Sequence, residues 1–363
     1  MCFSPVMLYY DRIEKKYTIK DSGNCDPHRA IIVPCGRCAQ CQKQRKQSYT
    51  VRAKAEYQKY GSQRTCMINL TVNDFKVGND KVNMDKVFPS EELCHEEFQK
   101  FMKRLRRKIE KVYGKRKIKY ICGAEYGEDN GRPHFHVILY GWKPDDLKSW
   151  TSTAKGFKQF RSEFVESCWR NVDFDEEDEI IDRFNLENPK IKKATGENYD
   201  YLPLGFVTIG EVYDSTVAYV TKYVLKNAEV KKEDYYNPAT GVPCRKPYVV
   251  FPHEMLGYEW FLENHRSLLI YGFCTTKYGR CAIPLNWIKK ALKDEENISL
   301  IYYVTLYKEE RDRLNKERVL EECKDLGIDT TKQYYLYEYY NELVKKGREL
   351  RKAHEQMKTM LGK

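Results

Sequence analysis

The stretch that decides the fold is residues 131–142, GRPHFHVILYGW, in which two histidines flank a phenylalanine and an apolar run follows. Side chains two residues apart in a β-strand point to the same face, so a strand here projects His134 and His136 together. Two imidazoles on one face can bind one metal ion. An isolated His-x-His is more often a pair of hydrogen-bonded strand histidines, so the surrounding chain has to decide between these interpretations.

An antiparallel hairpin is predicted around this strand. Residues 118–124 form the preceding strand, and residues 125–131, EYGEDNG, form the turn. Glu125 is then expected near the start of the turn, close to both histidines across the strand pair. A carboxylate beside two imidazoles on one sheet face suits a divalent metal ion.

Two basic helices precede the hairpin. The first is predicted over residues 40–60, which contain neither Pro nor Gly, and it presents either a solvated face or one that contacts phosphate. After a β-branched strand at 65–72, the second helix begins near Pro89 and runs to about Tyr113. Its polar face is almost entirely basic, which favours contact with a nucleic acid backbone. Its candidate DNA-binding residues are Lys103, Arg104, Arg106, Arg107, Lys108 and Lys111.

Two tyrosines follow on a third helix, which is predicted to begin near Asp214 or Ser215 after a short strand. Tyr219 and Tyr223 lie about 6 Å apart on one face because they are one helical turn apart. Tyrosines at this spacing more often pack in a core than react. Each is followed three residues later by a lysine, and these lysines are Lys222 and Lys226.

The region between the hairpin and the tyrosine helix contains no pattern that points to chemistry. A helix is predicted over residues 157–170, an acidic solvated insertion near 171–200, and the short strand over 204–209.

The first forty residues carry a cysteine cluster. Residues 34–41, PCGRCAQC, place Cys35, Cys38 and Cys41 three apart, as in zinc and iron–sulfur sites. Cys2 is the first choice for a fourth ligand, and the alternatives are Cys25 and His28. A structural Zn²⁺ ion there would anchor a segment with little apolar content of its own. The competing interpretation is a set of small buried side chains that cap a helix.

The bulk composition limits the classes of protein. The chain has 363 residues, enough for a substantial core, and its formal charge of +11 favours a polyanionic partner. No apolar run approaches the roughly 20 residues that span a bilayer, and MCFSP at the start lacks the layout of a signal peptide. A soluble cytoplasmic protein is expected, and its 13 cysteines are then thiols or metal ligands and not disulfides. No Gly-rich phosphate loop is present.

Four segments are predicted along the chain. Residues 1–60 form the Cys-rich segment and basic helix, 61–230 the catalytic core, 231–300 its C-terminal part, and 301–363 a charged tail. The tail is expected to form two helices broken near residues 327–330.

In combination, the His-x-His strand, the upstream acid and the tandem Tyr-x-x-Lys helix resemble the HUH endonucleases. The motif YVTKYV at 219–224 looks like the two-tyrosine rolling-circle initiators. MCFSP at 1–5, PCGRC at 34–38, NGRPH at 130–134 and AYV at 218–220 together resemble replication initiators of microviruses, particularly gokushoviruses. This similarity covers about residues 1–295 and leaves the charged tail unexplained.

The resemblance implies an α+β fold, with a central antiparallel sheet, helices packed on one face, and an RRM-like core. It implies that His134 and His136, together with Glu125, hold Mg²⁺ or Mn²⁺, with Glu211 and then Asp129 as the competitors of Glu125. Tyr219 or Tyr223 would attack a DNA phosphate, and Lys222 and Lys226 could neutralise its charge.

The implied function is site-specific nicking and rejoining of single-stranded origin DNA in the host bacterial cytoplasm, with no membrane partner. Host helicase, polymerase and single-strand-binding protein would be partners. The alternatives are an HUH transposase or relaxase, a non-enzymatic zinc-stapled DNA-binding protein, and a virion protein, which the long charged helices disfavour.

Overall fold

The protein is described from a computed structural model. The described residues are 2–19, 23–72, 93–127, 131–153, 156–169, 204–222, 235–237, 239, 241–251, 255–276 and 279–360. The acidic insertion near 171–200 therefore lies outside the described residues, as does the start of the second basic helix at 89–92. Asp129, Tyr223 and Lys226 lie outside them too, and so do the side chains of His28 and Lys222.

Strands and helices alternate along the chain. The strands are β1 (Val6–Asp11), β2 (Lys16–Thr18), β3 (Cys25–Val33), β4 (Thr65–Thr71), β5 (Lys119–Tyr126), β6 (Pro133–Tyr140), β7 (Lys148–Ser152), β8 (Lys158–Arg161), β9 (Val207–Gly210), β10 (Tyr248–Val250), β11 (Cys274–Thr276) and β12 (Gly279–Cys281). The helices are α1 (Ala39–Tyr60), α2 (His95–Tyr113), α3 (Glu163–Glu166), α4 (Asp214–Lys222), α5 (Tyr258–Tyr271), α6 (Leu285–Ala291), α7 (Ile298–Asp325) and α8 (Tyr335–Met360).

The chain divides into two compact units, one of Tyr49–Glu263 and one of Met1–Ser48 with Asn264–Lys363. The four-segment organisation expected from the sequence stays a prediction. Among the described residues no disulfide joins any pair of cysteines.

The Tyr49–Glu263 unit is built on one antiparallel sheet, with the strand order β10-β5-β6-β4-β9-β8-β7. Its two central strands are buried on both faces, which explains the nearly continuous apolar run after His136. Strand β6 ends at Gly141, whose φ is 100°, and a Cβ there would overlap the carbonyl of Lys117. Only glycine fits that close approach without strain.

Helices cover both faces of this sheet, so the expectation of helices on one face is wrong. Phe98, Phe101 and Leu105 of α2 pack with the face that carries Phe135 and Val137. On the opposite face, Ala53 of α1 and two valines of α4, Val217 and Val220, pack with Ile138 and Tyr140. The physical reason is that β6 alternates large apolar side chains to both sides, and each side needs a cover that excludes water.

The sequence also misplaced two local elements. Glu125 belongs to β5 and not to the turn, because the pairing of β5 with β6 continues to Tyr126. The helix expected over residues 157–170 is the strand β8 followed by the short helix α3. Pairing with β7 and β9 satisfies the backbone of β8, and Ser162 then caps α3 by accepting the Val165 N–H at 3.2 Å.

The second unit contains an antiparallel sheet in the order β2-β1-β3, a hairpin of β11 and β12, and long helices. The tail forms α7 and α8, with a break between residues 325 and 335, as the sequence indicated. Cys323, Tyr339 and Leu343 are buried between these two helices, together with the partly buried Ile32.

Candidate active site

The register of three neighbouring strands gathers polar side chains at one end of the sheet. His134 lies opposite Glu125 on β5 and Thr71 on β4, and His136 lies opposite Asn69. Because directly opposite residues share a face, these side chains form one polar patch. The patch continues the side of β6 that carries Ile138 and Tyr140, so it lies on the same face as α4.

His136 is held by a hydrogen bond to an asparagine. Its Nδ1 lies 2.8 Å from Oδ1 of Asn69, whose Nδ2 donates to Oγ1 of Thr208 at 3.1 Å. The amide oxygen can only accept, so Nδ1 of His136 donates. Neutral His136 therefore carries its lone pair on Nε2, a tautomer assigned from these partners.

This Nε2 faces the Glu125 carboxylate. The distance between Nε2 and Oε1 is 3.0 Å, and the residues are only 8% and 9% exposed. A carboxylate oxygen and an imidazole lone pair repel each other when they meet out of water. A cation between them, either a proton or a metal ion, turns that repulsion into attraction.

His134 presents a second lone pair beside the first. Its Nδ1 donates to the carbonyl of Arg132 at 2.7 Å, which leaves Nε2 as the acceptor. Burial removes water from the charged form and lowers the pKa of His134, and nearby His136 lowers it further. The two imidazoles are nearly parallel, with ring centroids 6.3 Å apart and an angle of 12° between their planes.

Tyr219 completes the patch from the helix above it. Its hydroxyl lies 3.3 Å from Nε2 of His136, and the two rings meet edge to face with centroids 5.0 Å apart. Helix α4 is fixed in this place because Val217 and Val220 are buried and Oγ1 of Thr221 lies 3.2 Å from Oγ1 of Thr50. A phenol thus lies within hydrogen-bonding distance of the nitrogen that can accept its proton.

The donor set suits a divalent metal ion. Both histidines offer Nε2 while Nδ1 is hydrogen-bonded to an oxygen, the arrangement that orients metal-bound imidazoles, and Glu125 adds an oxygen. Within the described part of the chain, however, only a group of cysteines brings three or more potential ligand atoms within 4.8 Å of one another. The side chains of His134, His136 and Glu125 would therefore have to close around an ion.

Glu211, the competitor of Glu125, is exposed and accepts a hydrogen bond from the hydroxyl of Tyr213 at 2.6 Å. Of the two glutamates, Glu125 is thus the one in contact with a site histidine. Lys222 is the last residue of α4. The competitor Asp129, the second tyrosine Tyr223 and its lysine Lys226 fall outside the described residues.

Residues 65–228 match the family of the replication-associated protein ORF2. The match runs from β4 to just beyond α4 and contains the polar patch with Tyr219. This chain is a relative of phage replication-associated proteins. The resemblance to replication initiators that the sequence indicated is thereby confirmed.

Several phage proteins share this relationship. Replication-associated protein ORF4 of Chlamydia phage 1 is 23% identical over 76% of this chain and 58% of its own length. Replication-associated protein VP4 of Bdellovibrio phage phiMH2K is 26% identical over 65% of this chain and 69% of its own length. Replication-associated protein ORF2 of Spiroplasma virus 4 is 24% identical, over 74% and 71%. No solved structure gives a significant match.

In this replication-associated protein, the basic helix α2 lies on the sheet face opposite Tyr219. Three of its predicted DNA-binding residues contact the protein itself. Arg104 and Arg106 donate to the carbonyls of Cys168 and Ile118, and Lys108 donates to Oγ of Ser167 at 2.5 Å. The exposed members of the predicted set are Lys103, Arg106, Arg107 and Lys111. Any DNA bound by α2 would therefore lie away from the tyrosine.

The predicted cysteine set is brought together in the other unit. Cys2, Cys35, Cys38 and Cys41 lie with all four Sγ atoms within 4.8 Å of one another, and this group could hold a metal ion. Cys25 belongs to β3 and is not in the group. No helix in the described residues is long and apolar enough to cross a membrane.

Sequence reasoning missed two residues of the site, Asn69 and Thr208. Asn69 stands between Ile68 and Leu70, which are fully buried. A lone amide in a β-branched and apolar strand was the available signal, because polar residues at such positions need a partner. Its partner His136 is 67 residues further along the chain, so the sequence could not identify it.

Proposed function

We propose that this protein initiates rolling-circle DNA replication by cleaving single-stranded origin DNA with a tyrosine nucleophile. The observation that carries the proposal is the Tyr219 hydroxyl 3.3 Å from Nε2 of His136, beside the Glu125 carboxylate. The relatives, named replication-associated proteins of phages, support the same biological role.

The proposed reaction exchanges one phosphodiester for another. The phenol oxygen of Tyr219 bonds to the scissile phosphorus, the bond from phosphorus to the 3′ oxygen breaks, and the products are a 5′-phosphotyrosine and a 3′-hydroxyl. That hydroxyl can prime synthesis, and the reverse reaction rejoins a strand. The proton lost by the phenol balances the proton gained by the 3′ oxygen.

The phenol needs help because its ordinary pKa of about 10 keeps it protonated at neutral pH. The contact with Nε2 of His136 gives its proton an acceptor. A divalent ion such as Mg²⁺ or Mn²⁺, held by both Nε2 atoms and Glu125, would supply Lewis-acid activation of the phosphate. Since Nε2 of His136 has one lone pair, water would take the phenol proton when that nitrogen is a metal ligand.

The remaining assignments extend this chemistry. Tyr223 is proposed as the second nucleophile, which allows another cut while the first product is still attached. Lys222 and Lys226 are proposed to neutralise phosphate charge, and α2 to hold duplex or displaced strand at a distance from the cut. The work would take place in the host cytoplasm, with helicase, polymerase and single-strand-binding protein supplied by the host.

The test is formation of a protein–DNA adduct that survives denaturation. The protein is incubated with labelled single-stranded oligonucleotides that tile the cognate phage genome, with Mg²⁺ or Mn²⁺. We expect one oligonucleotide to give an adduct, and mass spectrometry to map it to Tyr219 or Tyr223. Replacing both tyrosines with Phe, or both histidines with Ala, should abolish it.

The matched control is Tyr213→Phe, which removes an exposed hydroxyl just before α4 and should leave the adduct yield unchanged. Full adduct yield in the double-tyrosine variant would contradict the proposal. Tight DNA binding without any adduct would instead favour the non-enzymatic DNA-binding protein. A transposase or relaxase would show the same adduct on a different substrate sequence.

A further inference from the structure

We propose that Cys2, Cys35, Cys38 and Cys41 bind one zinc ion, and that this ion fastens residues 2–4 against helix α8. The site is separate from the proposed tyrosine chemistry and does not depend on it. Both parts of the proposal rest on contacts within the unit of Met1–Ser48 and Asn264–Lys363.

The sulfur atoms are spaced for a single tetrahedral ion. Cys2 Sγ lies 3.5 Å from Cys35, 3.8 Å from Cys38 and 3.5 Å from Cys41. Cys41 Sγ lies 3.5 Å from Cys38 and 4.0 Å from Cys35. Four sulfurs at the usual zinc distance of about 2.3 Å stand about 3.8 Å apart at tetrahedral angles.

These distances disfavour the other uses of clustered cysteines. A disulfide needs about 2.0 Å between the sulfurs. An iron–sulfur cluster with several irons binds its thiolates around the outside, so its cysteine sulfurs would not all lie within one tetrahedron of this size. A closed set of four thiolates, with no place for water or substrate, is typical of structural zinc.

Backbone N–H groups point at the sulfurs and would stabilise their charge. Cys35 N and Ser4 N donate to Sγ of Cys2 at 3.3 and 3.4 Å, and Phe3 N donates to Sγ of Cys38 at 3.4 Å. Cys38 N donates to Sγ of Cys35 at 3.4 Å. Cys41 lies in the first turn of α1, where the helix dipole favours an anionic ligand.

The residues that follow Cys2 are packed on α8. A Cβ at Gly347 would overlap the backbone carbonyl of Phe3, the ring of Phe3 lies 5.8 Å from that of His354, and Arg351 donates to Oγ of Ser4. Glycine is unfavourable inside a helix, so its place in the middle of α8 is explained by this close approach. An ion that fixes Cys2 therefore also fixes the segment that α8 receives.

The first experiment measures the metal. Full-length protein purified without added metal should contain one equivalent of zinc by mass spectrometry of the metal. Substituting Co²⁺ should give the absorption bands of a tetrahedral four-thiolate complex. Cys38→Ser should lose zinc, whereas Cys25→Ser, which removes a thiol of the same unit outside the group, should keep it. Because Cys38→Ser can also unfold, the metal content and Co²⁺ spectrum of the unmodified protein decide the assignment.

The second experiment measures the coupling to α8. Gly347→Val should speed zinc release to a competing chelator by about tenfold, the size of effect that supporting residues have on metal sites. Lys346→Val, an exposed neighbour given the same side chain, should release zinc at the unmodified rate. Chelation should raise amide hydrogen exchange in α8.

Absence of zinc, one equivalent of iron in its place, or loss of zinc from Cys25→Ser would overturn the metal assignment. Equal release rates for Gly347→Val and Lys346→Val, or unchanged exchange in α8 after chelation, would overturn the fastening role.

Discussion

Asn69 offers the sharpest test of how the proposed site is organised, because it touches only a site histidine and not the reacting groups. Its Oδ1 accepts from Nδ1 of His136 at 2.8 Å, and this bond selects the tautomer with a lone pair on Nε2. Asn69→Ala removes the acceptor. We expect formation of the protein–DNA adduct to slow by about 10–100-fold, as when partners that orient metal-bound histidines are lost.

The size of the effect follows from burial. His136 is 8% exposed, so an N–H left without a partner costs about 1–3 kcal/mol. The ring can avoid that cost by moving its proton to Nε2, which removes the lone pair that faces Glu125 and Tyr219. Since about 1.4 kcal/mol corresponds to a factor of ten, the penalty and the expected loss of rate agree.

The assay is the single-turnover rate of adduct formation from pH 5 to pH 9 for three proteins. Asn69→Asp restores an acceptor and should recover most of the rate, while its charge favours protonated imidazole and moves the acid limb to higher pH. Thr208→Val is the control, because it leaves the bond between Asn69 and His136 in place. An Asn69→Ala rate within twofold of the unmodified protein at every pH would refute the assigned tautomer.

Three further outcomes follow from the contacts of the Tyr49–Glu263 unit. Glu56→Ala should destabilise the fold by about 3–5 kcal/mol in denaturant unfolding, because it strands Lys119, whose Nζ lies 2.9 Å from Glu56 and which is 2% exposed. Phe135→Ala should cost about 3–5 kcal/mol in the same measurement, since its buried ring stacks on Phe98. His134 should titrate below pH 6.5 by NMR, because burial lowers its pKa; stability should then fall as the pH drops from 6.5 towards that lowered value, where only the unfolded chain takes up the proton.

Each of these outcomes has a comparison that isolates its cause. Glu310→Ala removes a carboxylate that pairs with Arg313 at the surface of α7, and it should leave the unfolding midpoint unchanged. Phe157→Ala removes a half-exposed ring and should cost far less than Phe135→Ala. A His134 titration at or above pH 6.5 would contradict the role given to burial.

Local patterns predicted the elements that carry their own signal. The strands β4, β5, β6 and β9 and the helices α1, α2, α4, α7 and α8 have periodic apolar positions and were identified, with ends displaced by a few residues. The strand β8 was mistaken for helix because its structure is imposed by pairing with β7 and β9. The sheet of β1, β2 and β3 was not identified at all, since these strands have few buried residues and depend on one another for backbone hydrogen bonds.

By itself the sequence determined that His134 and His136 share a strand face, and that Tyr219 lies on a helix, because both follow from short-range periodicity. Only the tertiary structure decided that Glu125 stands in register with His134, that Asn69 orients His136, and that α4 covers the same sheet face. Strand register is set by many contacts summed along a whole pair, and the face that a helix covers is set by which apolar side remains open. Tyr219 meets His136 across 83 residues of chain, a distance over which no local pattern carries information.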